Sequence, residues 1–170
     1  GSWSNKGGYK EGDAWNYSWF VPHNIKDLIN LMGGEDEFCQ KLDRGFSEGK
    51  IIHDNEPVLN FAYLYNYAGK PWKSQERVAA LRELYTNTPG GIPGNDDLGS
   101  MSSWFVFSAL GIYPVCPGRP VYDVTTPMFS DVTIHLENNK KLQITADRNF
   151  KKAKYINSVH LNNSKLETPW

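Results

Sequence analysis

The sequence lacks a long hydrophobic run, an excess of charge of either sign, and all but two cysteines. No apolar stretch approaches the roughly 20 residues that a membrane-spanning helix requires, so we predict no membrane span. Eighteen basic and nineteen acidic residues leave a formal net charge of -1, which provides no positive field for phosphate backbones. We therefore expect no nucleic-acid partner.

The two cysteines, Cys39 and Cys116, lie far apart in the sequence and match no metal-ligand spacing such as C-x-x-C. We interpret both as buried thiols, and a single disulfide between them is the alternative. Neither end of the chain resembles a targeting peptide, so the location of the protein has to be inferred from other features.

Aromatic residues are abundant, at 14% of the chain. Such rings can bind carbohydrate, because the apolar C–H face of a pyranose packs on an aromatic plane while the sugar hydroxyls reach polar neighbours. The structural alternative is that the rings fill a core, and composition taken alone favours that alternative.

The first two thirds of the chain predict helices that are separated by Gly and Pro. Asn24 suits an N-cap, Gly33 and Gly34 suit a helix end, and Pro57 suits a first helical turn. A loop rich in Gly, Pro, Asn and Asp covers residues 86–99. Apolar spacing predicts five helices, over residues 25–32, 35–46, 57–69, 74–85 and 101–110.

After Pro120 the pattern changes to short runs that are β-branched or alternate in polarity, with turns at residues 137–140 and 162–163. We predict strands over residues 121–125, 132–136, 142–145 and 155–161. The expected fold is mainly α with a β tail. It has a helical part over residues 1–118 and a small antiparallel β region over residues 119–170.

Antiparallel helix pairs joined by functional loops fit part of an α/α six-pair toroid. Five or so helices cannot close such a ring, so we expect an N-terminal domain or a second chain to complete it. Without that partner the inner helix faces, with Phe61, Tyr65 and Trp104 among their residues, are expected to form an exposed apolar patch.

Three acidic segments are candidates for chemistry, and the first surrounds Glu11. This glutamate lies among glycine and aromatic residues between Gly8 and Trp19. Partial desolvation by rings would raise the pKa of the carboxyl and keep the proton that a general acid donates. The alternative is a surface glutamate at a helix start, stabilised by the helix dipole.

The second segment places His53, Asp54, Asn55 and Glu56 directly before Pro57. Oxygen ligands from carboxylate, amide and backbone carbonyl groups are those that Ca²⁺ prefers. No EF-hand spacing is present, and the alternative is a plain helix-capping segment.

The third segment is the glycine-flanked loop over residues 91–99, which carries Asp96 and Asp97 just before an apolar helix. One of two adjacent carboxylates can point at a water molecule while the other holds the loop, and a hydrolase needs a base so placed. The alternative is a solvated Asx turn.

The order and the residue patterns of these segments resemble those of a known family. The pattern Tyr-x-Glu-Gly-x-Ala-Trp-x-Tyr-x-Trp-x-Val-Pro-His begins at Tyr9 and is followed by Asn-Glu-Pro and Tyr-Leu-Tyr-Asn-Tyr-Ala-Gly. Gly-Asn-Asp-Asp and Met-Ser-x-Trp come next. Over residues 9–161 the chain resembles the C-terminal part of the catalytic region of glycoside hydrolase family 92.

The resemblance implies a secreted, periplasmic or cell-surface exo-acting α-mannosidase that needs Ca²⁺ and cleaves mannose-containing glycans with inversion. It implies that Glu11 is the general acid, that Asp97 is the general base, and that Asn55 and Glu56 bind the metal. The implied substrate-binding residues are Trp15, Trp19, His53, Asp54 and Asn95. Inversion requires the two catalytic carboxyl groups to stand about 6.5 to 9.5 Å apart.

Two other functions compete with this interpretation. One is a non-catalytic carbohydrate-binding or structural fragment, inactive without the N-terminal half. The other is an α/α toroid hydrolase that acts on glucosides.

Overall fold

The computed structural model describes residues 8–147 and 154–168. The helices lie in the first two thirds of the chain. They are α1 (Ala14–Trp19), α2 (Ile25–Leu31), α3 (Glu35–Ser47), α4 (Leu64–Tyr67), α5 (Pro71–Arg82) and α6 (Ser100–Leu110). The structure thus confirms the predicted helix-rich first part.

Helix α1 was not among the predicted helices. It begins after Asp13, whose side chain accepts a hydrogen bond from the backbone of Asn16, while the side chain of Asn16 accepts one from the backbone of Asp13. A six-residue helix is too short to show a long apolar periodicity, so this reciprocal capping box is the feature that marks its start.

The continuous helix predicted over residues 57–69 is wrong. The segment instead forms two 3₁₀ turns, Glu56–Val58 and Phe61–Tyr63, before α4. Every residue from Pro57 to Asn66 is buried. A segment that is buried on all sides has no polar face to set a helical period, so its apolar spacing could not distinguish one helix from a series of tight turns.

The core lies between these helices and is rich in rings. The largest fully buried side chains include Trp19, Phe38, Tyr63 and Trp104. Phe61, Tyr65 and Trp104 are at most 1% exposed, so the expected apolar patch at these three positions is wrong. The chain buries them against its own helices, and for them the core-filling alternative is confirmed.

The predicted small antiparallel β region is confirmed, and in the part of the chain that the structure describes the strands form three two-stranded antiparallel ladders. The strands are β1 (Ile112–Tyr113), β2 (Asp123–Val124), β3 (Asp131–His135), β4 (Lys141–Thr145), β5 (His160–Leu161) and β6 (Ser164–Lys165). They pair β1 with β2, β3 with β4, and β5 with β6. Strand β1 was not predicted, and its pairing with β2 joins residues on both sides of position 118. The boundary near 118 stays a prediction.

The tail is attached to helix α5 through polar contacts. The Gln75 side-chain oxygen accepts hydrogen bonds from the backbone N–H of Ile156 at 2.8 Å and from the Thr126 hydroxyl at 3.2 Å. Lys154 forms an ion pair with Glu76 at 2.8 Å.

Both cysteines are free, with Cys39 buried and Cys116 half-buried, so the disulfide alternative is excluded. Among the described residues, no helix combines the length and the apolar character needed to cross a membrane.

Candidate active site

Three carboxylates from distant parts of the sequence meet at one point. Glu11 precedes α1, Glu56 begins a 3₁₀ turn, and Asp97 precedes α6. One oxygen from each of the three lies within 4.8 Å of the others. Glu11 is exposed and the other two are half-buried. We call these three residues the carboxylate cluster.

Two of the three cluster residues have a strained backbone. The φ angles of Glu11, Asp97 and Leu98 are 59°, 41° and 56°, in the left-handed region that L-residues seldom adopt. The other described non-glycine residues with positive φ are four asparagines, Asn138, Asn139, Asn162 and Asn163, in the turns of the β3–β4 and β5–β6 hairpins. Backbone strain outside these asparagine turns is therefore concentrated at the cluster, as is typical of functional sites.

The loops that carry Glu56 and Asp97 touch through their backbones. The Asn95 N–H donates to the Asp54 carbonyl oxygen at 3.1 Å. A Cβ atom at Gly94 would lie 2.1 Å from that same oxygen, so glycine is required there. This close approach brings the two loops together and places Asp97 beside Glu56.

Asp96 and Asp97 have different surroundings although they are adjacent. The Asp96 carboxylate accepts from the backbone N–H of Ser102 at 2.9 Å, and its carbonyl accepts from that of Met101 at 3.2 Å. Asp96 thus holds the loop against the start of α6, and Asp97 is directed to the cluster. The loop-holding role predicted for one of the two adjacent carboxylates falls to Asp96, and the role of Asp97 as a base stays a prediction.

The electrostatics of the cluster favour a proton or a cation. The pKa of Glu56 is raised, first by burial and then by the neighbouring carboxylates of Asp97 and Glu11. Like charges this close disfavour ionisation of the Glu56 carboxyl.

The residues at the cluster fit a hard cation. The side-chain oxygen of Asn55 and both carboxylate oxygens of Glu56 are buried and have no hydrogen-bond partner among the described residues. Asn55 is 3% exposed, and its side chain makes no capping hydrogen bond, so the capping alternative does not account for it. Buried oxygens without partners, beside converging carboxylates, form a donor set suited to Ca²⁺.

The two predicted catalytic carboxylates lie close together. An oxygen of Glu11 lies within 4.8 Å of an oxygen of Asp97. The separation of about 6.5 to 9.5 Å between whole carboxyl groups that inversion requires stays a prediction.

His53, a predicted substrate contact, lies beneath the surface. It is 4% exposed, its Nε2 lies 2.9 Å from the Tyr85 hydroxyl, and its ring centroid is 4.1 Å from that of Trp104. Burial lowers the pKa of His53 to about 4, so the imidazole is neutral at pH 7. Its substrate contact stays a prediction. The contacts of His53 with Tyr85 and Trp104 could not be predicted from the sequence, because both residues follow His53 by more than thirty positions.

The other predicted substrate residues divide into two groups. Asp54 and Asn95 lie on the two touching loops beside the cluster, Asn95 is exposed, and burial raises the pKa of Asp54. Trp15 is half-buried beneath the Lys50 ammonium, which lies 4.6 Å from its ring centroid. Trp19 is 2% exposed and packs edge-on against Phe38 in the core, so it has no surface left for a sugar.

Comparison with known proteins places the chain among glycosidases. A model of the glycosyl hydrolase family 92 catalytic domain matches residues 1–170. An uncharacterized secreted glycosidase from Arthroderma benhamiae is 34% identical over 164 residues, which cover 94% of this chain and 21% of that protein.

Solved structures show the same likeness. A family GH92 α-mannosidase from Bacteroides thetaiotaomicron has a TM-score of 0.87 and 34% identity, with 96% of this chain and 23% of that one covered. A family GH92 inverting mannosidase from the same organism has a TM-score of 0.85 and 32% identity, with 99% of this chain and 27% of that one covered. The chain thus spans about a quarter of the length of these structures.

Proposed function

Because the chain belongs to glycosyl hydrolase family 92, we propose that it carries the catalytic carboxylates of an exo-acting, calcium-dependent α-mannosidase. This enzyme releases terminal α-mannosyl residues from glycans with inversion. The observation that carries the proposal is the convergence of one oxygen each from Glu11, Glu56 and Asp97 within 4.8 Å, with a strained backbone at Glu11 and Asp97.

Glu11 acts as the general acid in this proposal. A glycosidic oxygen is a poor leaving group, and a proton delivered to it in the transition state lowers the barrier to bond cleavage. Glu11 is the exposed member of the cluster, so its carboxyl can reach a substrate that enters from solvent.

Asp97 acts as the general base. It accepts a proton from the water that attacks the anomeric carbon on the face opposite the leaving oxygen. Asp96 anchors the loop through Ser102, which fixes the direction from which Asp97 approaches. For water to fit between base and sugar, this mechanism requires the Asp97 and Glu11 carboxyl groups to stand about 6.5 to 9.5 Å apart.

Asn55 and Glu56 would hold Ca²⁺, since their buried oxygens have no other partner in the part of the chain that the structure describes. When bound, the ion would supply a positive charge that coordinates sugar hydroxyls and favours a distorted mannose ring. Asn55 and Glu56 are also neighbours in sequence, so the turn that begins at Glu56 orients both ligands together.

The relatives suggest where the protein works and what completes it. One relative is described as secreted, and we propose a secreted, periplasmic or cell-surface location for this protein. Because the chain spans about a quarter of the solved relatives, we propose that an N-terminal domain or a second chain completes the α/α toroid around the cluster.

The test is hydrolysis of α-mannobiose by the native protein, followed by proton NMR. Inversion predicts that the mannose formed first is the β-anomer, and that activity is lost in excess chelator and restored by Ca²⁺. If α-mannose forms first, the close approach of Glu11 and Asp97 reflects a retaining mechanism and inversion is wrong. Faster hydrolysis of matched α-glucosides would identify the glucosidase alternative.

A non-catalytic carbohydrate-binding protein remains the second candidate, because the whole site is proposed to need residues outside this chain. Binding of mannose without turnover by the native protein would support it. The presence of both Glu11 and Asp97 at one point favours the enzyme, since binding alone does not need an acid and a base.

A further inference from the structure

A second cavity lies at the other end of helix α1 from the carboxylate cluster. It has a volume of about 430 Å³ and is lined by the corner between α1 and α2, by Tyr67 at the end of α4, and by the loop from Cys116 to Val121. The six residues of α1 separate it from Glu11 by about 9 Å of helix rise. Its volume falls in the range of about 300 to 1,000 Å³ that is usual for small-molecule sites.

The charge on the wall of this cavity is of one sign. Lys26 and Arg119 line it, and among the described residues no aspartate or glutamate does. Among the described residues, neither Lys26 nor Arg119 has an ion-pair partner. Because the whole chain has a net charge of -1, this local excess of basic groups does not follow from composition.

Two carboxylates lie near the basic residues of this cavity, and neither neutralises their charge. Asp27, on α2, accepts a hydrogen bond from the Asn24 side chain at 2.8 Å and does not line the cavity. Asp123 lies behind Tyr67 and is 1% exposed, and burial raises its pKa to about 8, so its neutral form predominates at pH 7.

Tyr67 adds an aromatic ring to the lining of this cavity. Its side chain is half-buried, and burial followed by the nearby Asp123 raises the pKa of its phenol, so the ring stays neutral. The C–H face of a pyranose can pack on such a ring. The turn that carries Arg119 is closed by a hydrogen bond from its N–H to the Cys116 carbonyl at 2.9 Å.

We propose that this cavity is a binding site for an anionic sugar, whose phosphate or carboxylate group binds Lys26 and Arg119 while its ring packs on Tyr67. Arginine and lysine make charge-assisted hydrogen bonds to both kinds of oxyanion. The site lies apart from the carboxylate cluster, so it does not depend on the proposed mannosidase activity.

The experiment is calorimetric titration of the purified protein with mannose 6-phosphate, glucuronate and uncharged mannose at constant ionic strength. We expect saturable binding of at least one charged sugar, and any binding of uncharged mannose should not depend on Lys26 and Arg119. In the double variant Lys26→Gln/Arg119→Gln that affinity should fall at least about tenfold. Both side chains are exposed, so circular dichroism should show an unchanged fold.

The matched control is Lys140→Gln/Lys165→Gln, which removes two exposed charges far along the tail and should bind as the unaltered protein does. Glu11→Gln should also bind normally, which separates this site from the catalytic one. The proposal is overturned if neither charged sugar binds saturably, or if the Lys26/Arg119 variant keeps its affinity for the charged sugar.

Discussion

At the scale of single residues, the backbone at the carboxylate cluster is held in a conformation that its side chains do not favour. Leu98 is fully exposed and has a φ of 56° beside Asp97. A leucine in the left-handed region costs roughly 1 to 2 kcal/mol, and glycine avoids that cost. A local requirement of the site explains why such a conformation persists.

Leu98→Gly should therefore stabilise the fold by about 1 kcal/mol, because the substitution relieves strain and removes no buried contact. Urea denaturation measures the change. The control is Leu31→Gly, which alters another exposed leucine but lies at the end of helix α2 and should lose stability. Equal losses in both variants would show that the positive φ of Leu98 carries no strain.

Glu11→Gln should identify the acid. In the native protein this variant should slow mannosides with poor leaving groups by about 10² to 10⁴-fold, and slow an activated aryl mannoside far less, because an activated leaving group departs with little protonation. The comparison of kcat/KM on the two substrates is the measurement. Equal losses on both would contradict the assignment of Glu11.

His53 should make stability depend on pH. Its folded-state pKa of about 4 lies below the ordinary value of 6.5, because the ring is buried. The unfolded chain takes up the proton first, so the stabilising contribution is complete above about pH 6.5 and is lost as the pH falls toward 4. The size of the loss is about 3 kcal/mol.

His53→Gln removes this proton uptake while an amide can still contact Tyr85. Between pH 7 and pH 4 the variant should lose about 3 kcal/mol less unfolding free energy than the unaltered protein. His160→Gln, on exposed strand β5, is the control for removal of an imidazole at the surface. A pH dependence in His53→Gln identical to that of the unaltered protein would refute the buried-histidine argument.

At the scale of elements, a buried amide on helix α5 is one of the groups that hold the tail. Gln75 is 6% exposed and accepts from both Ile156 and Thr126. Gln75→Met keeps the length of the side chain but leaves a backbone N–H and a hydroxyl without this acceptor. The cost of such groups is about 1 to 3 kcal/mol.

Hydrogen exchange at the Ile156 amide should accelerate in Gln75→Met, because the bond that protects it is lost. Gln40→Met, on the exposed face of α3, serves as the control and should leave that amide unchanged. Unchanged protection in Gln75→Met would mean that contacts other than this hydrogen bond hold the tail.

The elements also show what the sequence could and could not predict. Helix α3 was predicted within one residue of its observed end, since Phe38 and Leu42 mark a buried stripe opposite a polar face. The structure of residues 57–69 was not predicted correctly, because a segment that is buried on all sides has no polar face opposite its apolar one. Strand β1 has two residues, too few for an alternation to be detected.

The candidate site was predictable to the extent that its residues stand in recognisable segments. Glu11, Glu56 and Asp97 were all named from the sequence, and the structure brings them together. Their spacing was not predictable, because it depends on the contact between Gly94 and Asp54, forty positions apart. The resemblance implied a sugar contact for Trp19, and its burial was not predictable because the sequence does not show whether an aromatic ring near a carboxylate faces the site or the core.

At the scale of the whole molecule, the carboxylate cluster is open to solvent on the side of Glu11. Glu11 is exposed, and Glu56 and Asp97 are half-buried. Electrostatic stabilisation of a transition state is strongest where water is excluded, since the charges of acid, base and cation are then not screened. The solved relatives extend over roughly four times the length of this chain, which leaves ample structure to cover such a site.

We therefore expect the isolated 170-residue chain to hydrolyse an aryl α-mannoside and α-mannobiose at least about 10²-fold more slowly than a complete family 92 enzyme, even with Ca²⁺ present. The assay should be run beside a measurement of the mass in solution, because a second copy of the chain could cover the cluster. Adding the remaining part of a catalytic domain, in the same chain or as a second one, should raise the rate if it closes the site. Substantial turnover by a stable monomer would show that these three loops complete the active site unaided, and that the openness of the cluster does not limit catalysis.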